Sequence, residues 1–187
     1  EIDETTWTEF GSQPLFWNRS GTMEANAGSA GSMTANGTIT KTVGDAYDYP
    51  MMTLNGTDGY YSDSSVTYAN NTVTVICRVK IPSFTGGAFK WINGSNVGAN
   101  NRLALIVYPS DFATASLRNK VVAYSASSAG ATILNVLSTV DVCDNSEKLI
   151  FCSWNADTGT VLLYVDGVDV DDAAYTSRDV TAGTLGV

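Results

Sequence analysis

Apolar and polar residues alternate along most of the chain from residue 73 onward. In Val73–Ile81, the apolar side chains at odd positions alternate with Thr74, Arg78 and Lys80. Because successive side chains of a strand point to opposite faces of a sheet, this pattern predicts a half-buried β-strand. Further strands are predicted at Ala88–Ile92, Arg102–Tyr108, Lys120–Tyr124, Thr132–Leu137, Lys148–Trp154 and Thr160–Asp166.

Clusters of turn-forming residues separate these strands. They read PSFTGG, NGSNVGANN, SASSAG, DNSE and NADTG. Helical periodicity is nearly absent, and a loop explains the one candidate helical turn, Asp111–Arg118, equally well. Many short strands with polar turns predict an all-β fold, an antiparallel β-sandwich or jelly roll.

The most regular segment, TVLLYVDGVD, spans residues 160–169. Its Asp166-Gly167 pair tolerates the positive φ angles that a type I′ hairpin turn demands. We interpret this segment as a scaffold hairpin that sets strand register, with Tyr164 on the face away from the core. The residues expected to pack on the core face are Val161, Leu163 and Val165.

Residues 1–50 have a different composition. Gly11–Gly44 is rich in Gly, Ser, Ala, Thr and Asn, which fits a flexible arm, an extended segment on another subunit, or lead-in strands of the same domain. Trp7 and Trp17 indicate that the first part docks onto something. We therefore divide the chain into an extended N-terminal arm or lead-in segment, residues 1–50, and a sandwich domain, residues 51–187.

Composition excludes several classes of function. The chain has no histidine, which excludes Ser-His-Asp and Cys-His catalysis and His-ligated zinc. With 10 Lys+Arg and a net charge of −9, it lacks a basic patch for nucleic acid. No apolar stretch approaches the roughly 18 residues that membrane insertion needs. Its 3 cysteines are predicted to be free thiols.

Two stretches resemble laminin G-like domains of the concanavalin A-like superfamily. In Met51–Ser65, MMTLNGTDGYYSDSS, an apolar residue, an Asn-Gly turn, an Asp and an aromatic residue precede the first long strand. Lys148–Val170 looks like the family's late hairpin, in which a strand ending near Trp is joined by a turn to a strand closing in Y-V-D-G. The resemblance covers residues 51–187 and implies a concanavalin A-like sandwich. That fold hosts lectins, adhesion modules, glucanases and viral surface proteins, so function has to be argued from sites.

The N-terminal sequence EIDE invites a catalytic interpretation. Glucanases of this fold place carboxylates on one strand as E-x-D-x-E, or with one extra residue before the last Glu, so that all three share the concave face. Here the third position is Thr5, or Thr6 in the bulged version. We interpret EIDE as a solvated terminus and predict no catalytic residue.

Acidic residues suggest two metal sites, and neither has a recognisable ligand motif. The cluster after the late hairpin lacks EF-hand spacing and is interpreted as a solvated acidic loop. Its members are Asp166, Asp169, Asp171 and Asp172. Asp58 and Asp63 form a second corner, since some laminin G-like domains bind calcium near loop carboxylates. No cofactor is predicted, and calcium lacks a supporting motif.

A sugar-binding surface is predicted on the segment FKWINGSNVGANNRLALIVY. Aromatic faces stack on sugar rings, and Asn amides both donate to and accept from hydroxyls. The alternative is that the aromatic residues belong to the core and the asparagines form turns. The candidate ligand-binding residues are Trp91, Asn93, Asn96, Asn101 and Tyr108.

These features predict a non-enzymatic, lectin-like surface or adhesion module. It would bind carbohydrate or decorate a larger assembly such as a phage virion, on the head or tail. The expected partners are glycans or neighbouring protein subunits, including further copies of this chain, and the expected location is extracellular or on a virion surface. The alternative is a glycoside hydrolase or lyase of the same fold that uses a carboxylate pair.

Overall fold

A computed structural model describes residues 33–42, 51–54, 57, 60–63, 73–97, 100–126, 132–155, 160–174 and 184–186. Within these residues the chain forms thirteen β-strands and a short 3-10 helix. The strands are β1 (Thr34–Asn36), β2 (Ile39–Thr42), β3 (Met51–Leu54), β4 (Tyr60–Asp63), β5 (Val73–Lys80), β6 (Lys90–Val97), β7 (Asn100–Val107), β8 (Val121–Ala126), β9 (Thr132–Leu137), β10 (Glu147–Asn155), β11 (Thr160–Val165), β12 (Val168–Ala174) and β13 (Thr184–Gly186). The 3-10 helix is Ala115–Leu117. The chain divides into two compact units between Val66 and Thr67, with Gly186 in the first.

The first unit contains two antiparallel strand pairs. Strand β1 pairs with β4, and β2 pairs with β3. Residues 33–42 fall in the predicted N-terminal arm, and they contain β1 and β2, which pair with strands later than residue 50. Trp7 and Trp17 lie outside the described residues. The predicted division into residues 1–50 and 51–187 stays a prediction.

The second unit contains two antiparallel sheets. One has the order β12–β11–β10–β5, and the strands of the other run β13–β6–β7–β8–β9. Side chains from both sheets meet in one main core, so the unit is a β-sandwich, as predicted. Among the described residues, no helix is long and apolar enough to cross a membrane.

The main core follows from the alternation seen in the sequence. On β5, residues at odd positions are half-buried against the core, while the even positions are exposed. Fully burying an aliphatic side chain contributes about 1.5–3 kcal/mol, so the side chains that face this core stabilise the pairing of the two sheets. The buried core residues are Leu103, Leu105, Val107, Val121, Ala123, Val136, Val142, Cys143, Ile150, Cys152, Trp154, Val161, Leu163 and Val165.

The hairpin between β11 and β12 has the predicted turn. Asp166 and Gly167 both have positive φ, 53° and 77°, as type I′ geometry requires. The N–H of Leu149 donates to Oδ1 of Asp166 at 2.8 Å, and the N–H of Asp166 donates to the Leu149 carbonyl at 2.8 Å. Val161, Leu163 and Val165 are fully buried, as predicted. The hairpin is therefore part of the scaffold.

Two predicted turns or loops are strands instead. The cluster NGSNVGANN was predicted as a turn, yet β6 continues to Val97 and β7 begins at Asn100. Bulges between Trp91 and Asn93 and between Ser95 and Val97 accommodate these residues while the strand keeps its pairing with β7. The predicted acidic loop after Asp166 is strand β12, because the type I′ turn feeds the chain directly into pairing with β11.

The three cysteines are free, as predicted. Cys143 and Cys152 are buried and Cys77 is half-buried, and all three pack in or against the main core. Burial raises the pKa of Cys77 to about 12 and is the main cause that raises the pKa of Cys143 to about 11. These thiols therefore stay protonated at neutral pH and act as small apolar side chains.

Candidate functional site

The sheet containing β6, β7 and β8 carries a second apolar cluster on its outer face, the face turned away from the main core. On β7, Leu105 belongs to the main core, so its neighbours Ala104 and Ile106 point to the outer face. Ala104 and Ile106 are only 1% and 3% exposed, and Val122 on β8 is fully buried. The half-buried residues that pack against them are Trp91, Phe112, Leu117, Tyr124 and Leu137.

A cleft of about 260 Å³ opens in this outer face. We call it the aromatic cleft; it is lined by Phe89, Trp91, Ala104, Ile106, Tyr108 and Tyr124. The ring of Tyr108 meets that of Phe89 edge-on, with ring centroids 5.8 Å apart. The centroid of the Tyr108 ring also lies 4.3 Å from that of the tilted Phe112 ring. Such edge-to-face and tilted contacts fix the orientation of the rings. The cleft therefore presents ordered aromatic surface, in which Phe89 is 38% exposed, whereas Tyr108 is only 8% exposed and forms part of the apolar cluster.

Gly94 makes room for the indole of Trp91. Trp91 pairs with Ile106, and the bulge that follows shifts the register of β6 by one residue, so that Asn93 pairs with Leu105. Gly94 pairs with Ala104 and so lies on the same outer face. A Cβ atom at residue 94 would overlap Cζ3 of the indole and lie 2.6 Å from its Cε3. Glycine therefore lets the six-membered ring of Trp91 lie directly against the backbone of β6.

The loop before β6 is tied to the loop after β7 by a carboxylate. Asp111 accepts hydrogen bonds from the backbone N–H groups of Gly86 at 2.9 Å and Gly87 at 3.3 Å. Both glycines have positive φ, 118° and 70°, which aims successive N–H groups at one anion. The Gly86 N–H is the main cause that holds the pKa of Asp111 below its ordinary value. Ser110 donates twice more to the Phe84 carbonyl, from N at 3.0 Å and from Oγ at 3.1 Å.

The loop after β7 is also ordered internally. Arg118 donates from Nε to the Phe112 carbonyl at 2.7 Å, and the N–H of Leu117 donates to the Thr114 carbonyl at 3.1 Å. These bonds hold Phe112 and Leu117 over the outer cluster. The cleft is thus built on a sheet and on loops with defined hydrogen bonds, which is what a preorganised binding site requires.

The aromatic cleft is electrically neutral. Its polar groups are the phenol hydroxyls of Tyr108 and Tyr124 and the indole N–H of Trp91. Burial, and secondly Tyr124, raise the pKa of Tyr108 above its ordinary value. A phenol hydroxyl both donates and accepts hydrogen bonds, so the cleft offers apolar faces together with neutral hydrogen-bonding groups.

Two of the predicted ligand-binding residues come together in the structure. Trp91 and Tyr108 both line the aromatic cleft. Asn93 pairs with Leu105, which is fully buried in the main core. Because directly opposed residues project from the same face, Asn93 projects from the face opposite to Trp91. The predicted set is therefore divided between two faces of the sheet.

Other residues of the cleft were missed by the sequence reasoning. Asn96 and Asn101 lie in β6 and β7, with side chains outside the described part of the chain. Phe89 and Tyr124 line the cleft, although neither was predicted. The available signal was the continuous apolar run of residues 103–108, which is typical of a strand covered on both faces.

The metal candidates do not gather into a site in the described residues. Asp63 lies in β4, Asp58 falls outside the described residues, and Asp171 lies in β12. Within the described ranges, no three or more Cys, Asp or Glu side chains form a group that could hold a metal ion. The carboxylate of Asp166 is used by the hairpin, through its bond to Leu149.

Comparison with solved structures gives a likeness of fold. Domain 4 of AbnA, a GH43 extracellular arabinanase from Geobacillus stearothermophilus in complex with arabinotriose, matches with a TM-score of 0.57 and 17% identity, over 90% of this chain and 70% of that chain. The carbohydrate binding module CBM66 from Bacillus subtilis matches with a TM-score of 0.49 and 14% identity, over 93% and 91%. Neither a protein-family model nor a curated protein matches the chain in sequence. The chain shares its fold with domain 4 of AbnA, and the resemblance to laminin G-like domains stays a prediction.

Proposed function

We propose that this protein is a non-catalytic carbohydrate-binding module whose ligand sits in the aromatic cleft. The observation that carries the proposal is the cleft itself, in which Phe89, Trp91, Tyr108 and Tyr124 surround about 260 Å³ on one sheet face. Aromatic faces stack on the C–H surface of a sugar ring, and neutral hydroxyl and indole groups orient it. Domain 4 of AbnA, which shares the fold, was solved with arabinotriose, and this supports the same ligand class here.

The lining of the cleft favours binding over hydrolysis. Glycosidases of most families use two carboxyl groups, about 5–10 Å apart, on either side of the scissile bond. The six residues that line the cleft include no Asp or Glu. A ligand held there would meet no carboxylate pair, so the hydrolase or lyase alternative that uses such a pair has no support among the lining residues.

A glycan array followed by titration tests the proposal. Arrayed oligosaccharides, including arabinotriose, would be screened with the wild-type protein, and hits would be titrated by isothermal calorimetry and by shift in melting temperature. We expect binding that is weakened about thirtyfold or more in Trp91→Ala, because truncating a central aromatic anchor costs about 2 kcal/mol or more. The matched control is Phe151→Ala, since Phe151 is a half-buried ring on the other sheet. Binding that survives in Trp91→Ala would place the ligand elsewhere.

A structural role in a larger assembly is the second candidate, and one observation favours it. Ile76, Phe151 and Tyr164 are paired side by side across β5, β10 and β11, on the face away from the main core. Ile76 is 63% exposed and the nearby Leu149 is 47% exposed. A neighbouring protein subunit, including a second copy, would cover this face. Sedimentation over a range of protein concentrations tests this structural role. Ile76→Lys is expected to abolish any association that the wild-type chain shows. A wild-type chain that stays monomeric, both alone and when mixed with neighbouring subunits, would count against the role.

A further inference from the structure

The chemical character of the aromatic cleft narrows the class of sugar that it can take. None of its six lining residues carries a charge. Moving a carboxylate or sulfate from water into such a place is costly unless a cation or several donors pair with it. A neutral sugar ring carries no such cost, because hydroxyls that leave water can bond to the phenol groups of the cleft.

The charged side chains Asp111, Arg118 and Lys120 on the flanking loops make defined contacts of their own. Asp111 is bonded to the N–H groups of Gly86 and Gly87, and Arg118 donates to the Phe112 carbonyl. Nζ of Lys120 lies 2.7 Å from Oδ1 of Asp141 and also donates to the Thr139 carbonyl at 2.8 Å. None of these three side chains lines the cleft.

Lys90 starts from the sheet face opposite to the cleft. Lys90 pairs with Val107, a residue of the main core, whereas Trp91 pairs with Ile106 on the outer face. Directly opposed residues project from the same side, so Lys90 leaves the sheet on the side away from the cleft. The net charge of −9 adds a general repulsion of anionic glycans.

Size limits the ligand as well. Pockets for drug-sized molecules are about 300–1,000 Å³, and the aromatic cleft is smaller, at about 260 Å³. Phe89 and Tyr108 form one edge-to-face wall of it, and the Trp91 indole lies against β6. The space suits one sugar ring, with the rest of a chain left outside.

Building on the proposed carbohydrate-binding function, we propose that the aromatic cleft selects a single uncharged sugar unit and discriminates against its uronic acid counterpart. The ring stacks against aromatic side chains, and the hydroxyls of Tyr108 and Tyr124 bond to its neutral hydroxyl groups. Discrimination comes from the uncharged lining of the cleft, since an anion entering it would lose water without gaining a charged partner among the six lining residues.

Matched oligosaccharide pairs test this selectivity. Each pair has the same linkages and differs only in its terminal unit, galactose against galacturonic acid or glucose against glucuronic acid. Calorimetric titration at pH 7 is expected to give Kd values at least tenfold lower for the neutral member. Affinity for the neutral member should be nearly constant between 0.05 and 0.5 M NaCl, because no charge is involved.

Each outcome separates the two proposals. Uronate binding as tight as neutral binding, or tighter, overturns the selectivity and leaves the carbohydrate-binding function standing. If no oligosaccharide of either kind binds, the carbohydrate-binding function itself is overturned. Preference for the neutral member that persists in Trp91→Ala would overturn the assignment to this cleft.

A pair of conservative variants tests the role of the phenol groups. Tyr124→Phe removes a hydroxyl and keeps the ring, so we expect affinity for the neutral sugar to fall about two- to tenfold. Tyr164→Phe is the control, since Tyr164 lies on β11 in the other sheet and packs against Phe151. Equal affinities for both variants and the wild type would overturn the role of Tyr124.

Discussion

Gly94 shows how a single residue shapes the candidate site. Together with its sequence neighbour Asn93 it forms an Asn-Gly pair, which is typical of a turn and predicts one here. In the structure Gly94 is a strand residue on β6, and its missing side chain is the space that the Trp91 indole occupies. Turn propensity is a local property, whereas the pairing of β6 with β7 supplies hydrogen bonds that override it. Trp91 and Tyr108 were predicted as ligand contacts because of their residue types. The role of Gly94 was not predictable in this way, because it depends on which atoms lie above the glycine.

Replacing Gly94 by alanine is expected to displace the indole. The added Cβ would overlap the ring and lie 2.9 Å from the Leu103 carbonyl oxygen, so the unfolding free energy should fall by about 1–3 kcal/mol, as for other overpacked sites. Urea denaturation measures this change. In a Trp91→Ala background the same substitution should cost clearly less, because the ring is gone. Equal costs in both backgrounds would show that the indole does not lie over Gly94.

At the scale of elements, the β11–β12 hairpin was predictable almost completely. Alternating apolar residues define its strands and their buried face, and an Asp-Gly pair defines the turn type. All of these signals come from residues close together in the sequence. The β6–β7 hairpin was less predictable, because its bulges and polar residues disguise two paired strands. The clamp between Asp111 and the loop before β6 was not predictable, since it joins residues 24 and 25 positions apart through loop geometry.

Asp166 is expected to stabilise its hairpin through both its backbone and its side chain. Asp166→Ala removes the bond to the Leu149 N–H and places alanine at a positive φ of 53°. We expect a loss of about 1–2 kcal/mol in the free energy of unfolding, measured by urea denaturation. Asp166→Asn is the control, because asparagine tolerates this conformation and keeps an oxygen acceptor. Identical losses for the two variants would contradict this account of the turn.

At the scale of the whole molecule, the β-sandwich was predicted because several strands, such as β5 and β11, alternate between core-facing and outward-facing residues. The aromatic cleft was not, because it combines residues from β6, β7, β8 and two loops, and the sequence alone does not say which strands are neighbours. The assignment of function likewise depends on this combination of surfaces more than on any motif.

The pH dependence of stability follows from the titratable groups. Hydrogen bonds hold the pKa values of Asp111 and Asp144 below the ordinary value of 3.8. The main donor to Asp111 is Gly86, and the main donor to Asp144 is Ser146. The contribution of these two carboxylates to the free energy of unfolding is therefore complete above pH 3.8 and is lost as the pH falls below that value. Burial raises the pKa of Cys77 and Cys143 above the ordinary value of 9.0, so their contribution is complete below pH 9 and is lost as the pH rises further.

We therefore expect a broad plateau of stability. The free energy of unfolding should change little between about pH 5 and 8, because the chain has no histidine to titrate there. It should fall on the acid side below pH 4 and on the alkaline side above pH 9. Urea denaturation at intervals of one pH unit measures the profile, with Asp111→Asn expected to flatten the acid limb. A marked step near pH 6.5 would contradict this assignment of groups.

The central claim, that the aromatic cleft binds sugar, is tested most directly by titrating one neutral oligosaccharide from the array into three proteins and measuring heat. The wild type and Phe151→Ala are expected to bind with equal affinity, and Trp91→Ala is expected to bind about thirtyfold or more weakly. Equal affinity in Trp91→Ala and the wild type, with both variants folded, would contradict the claim.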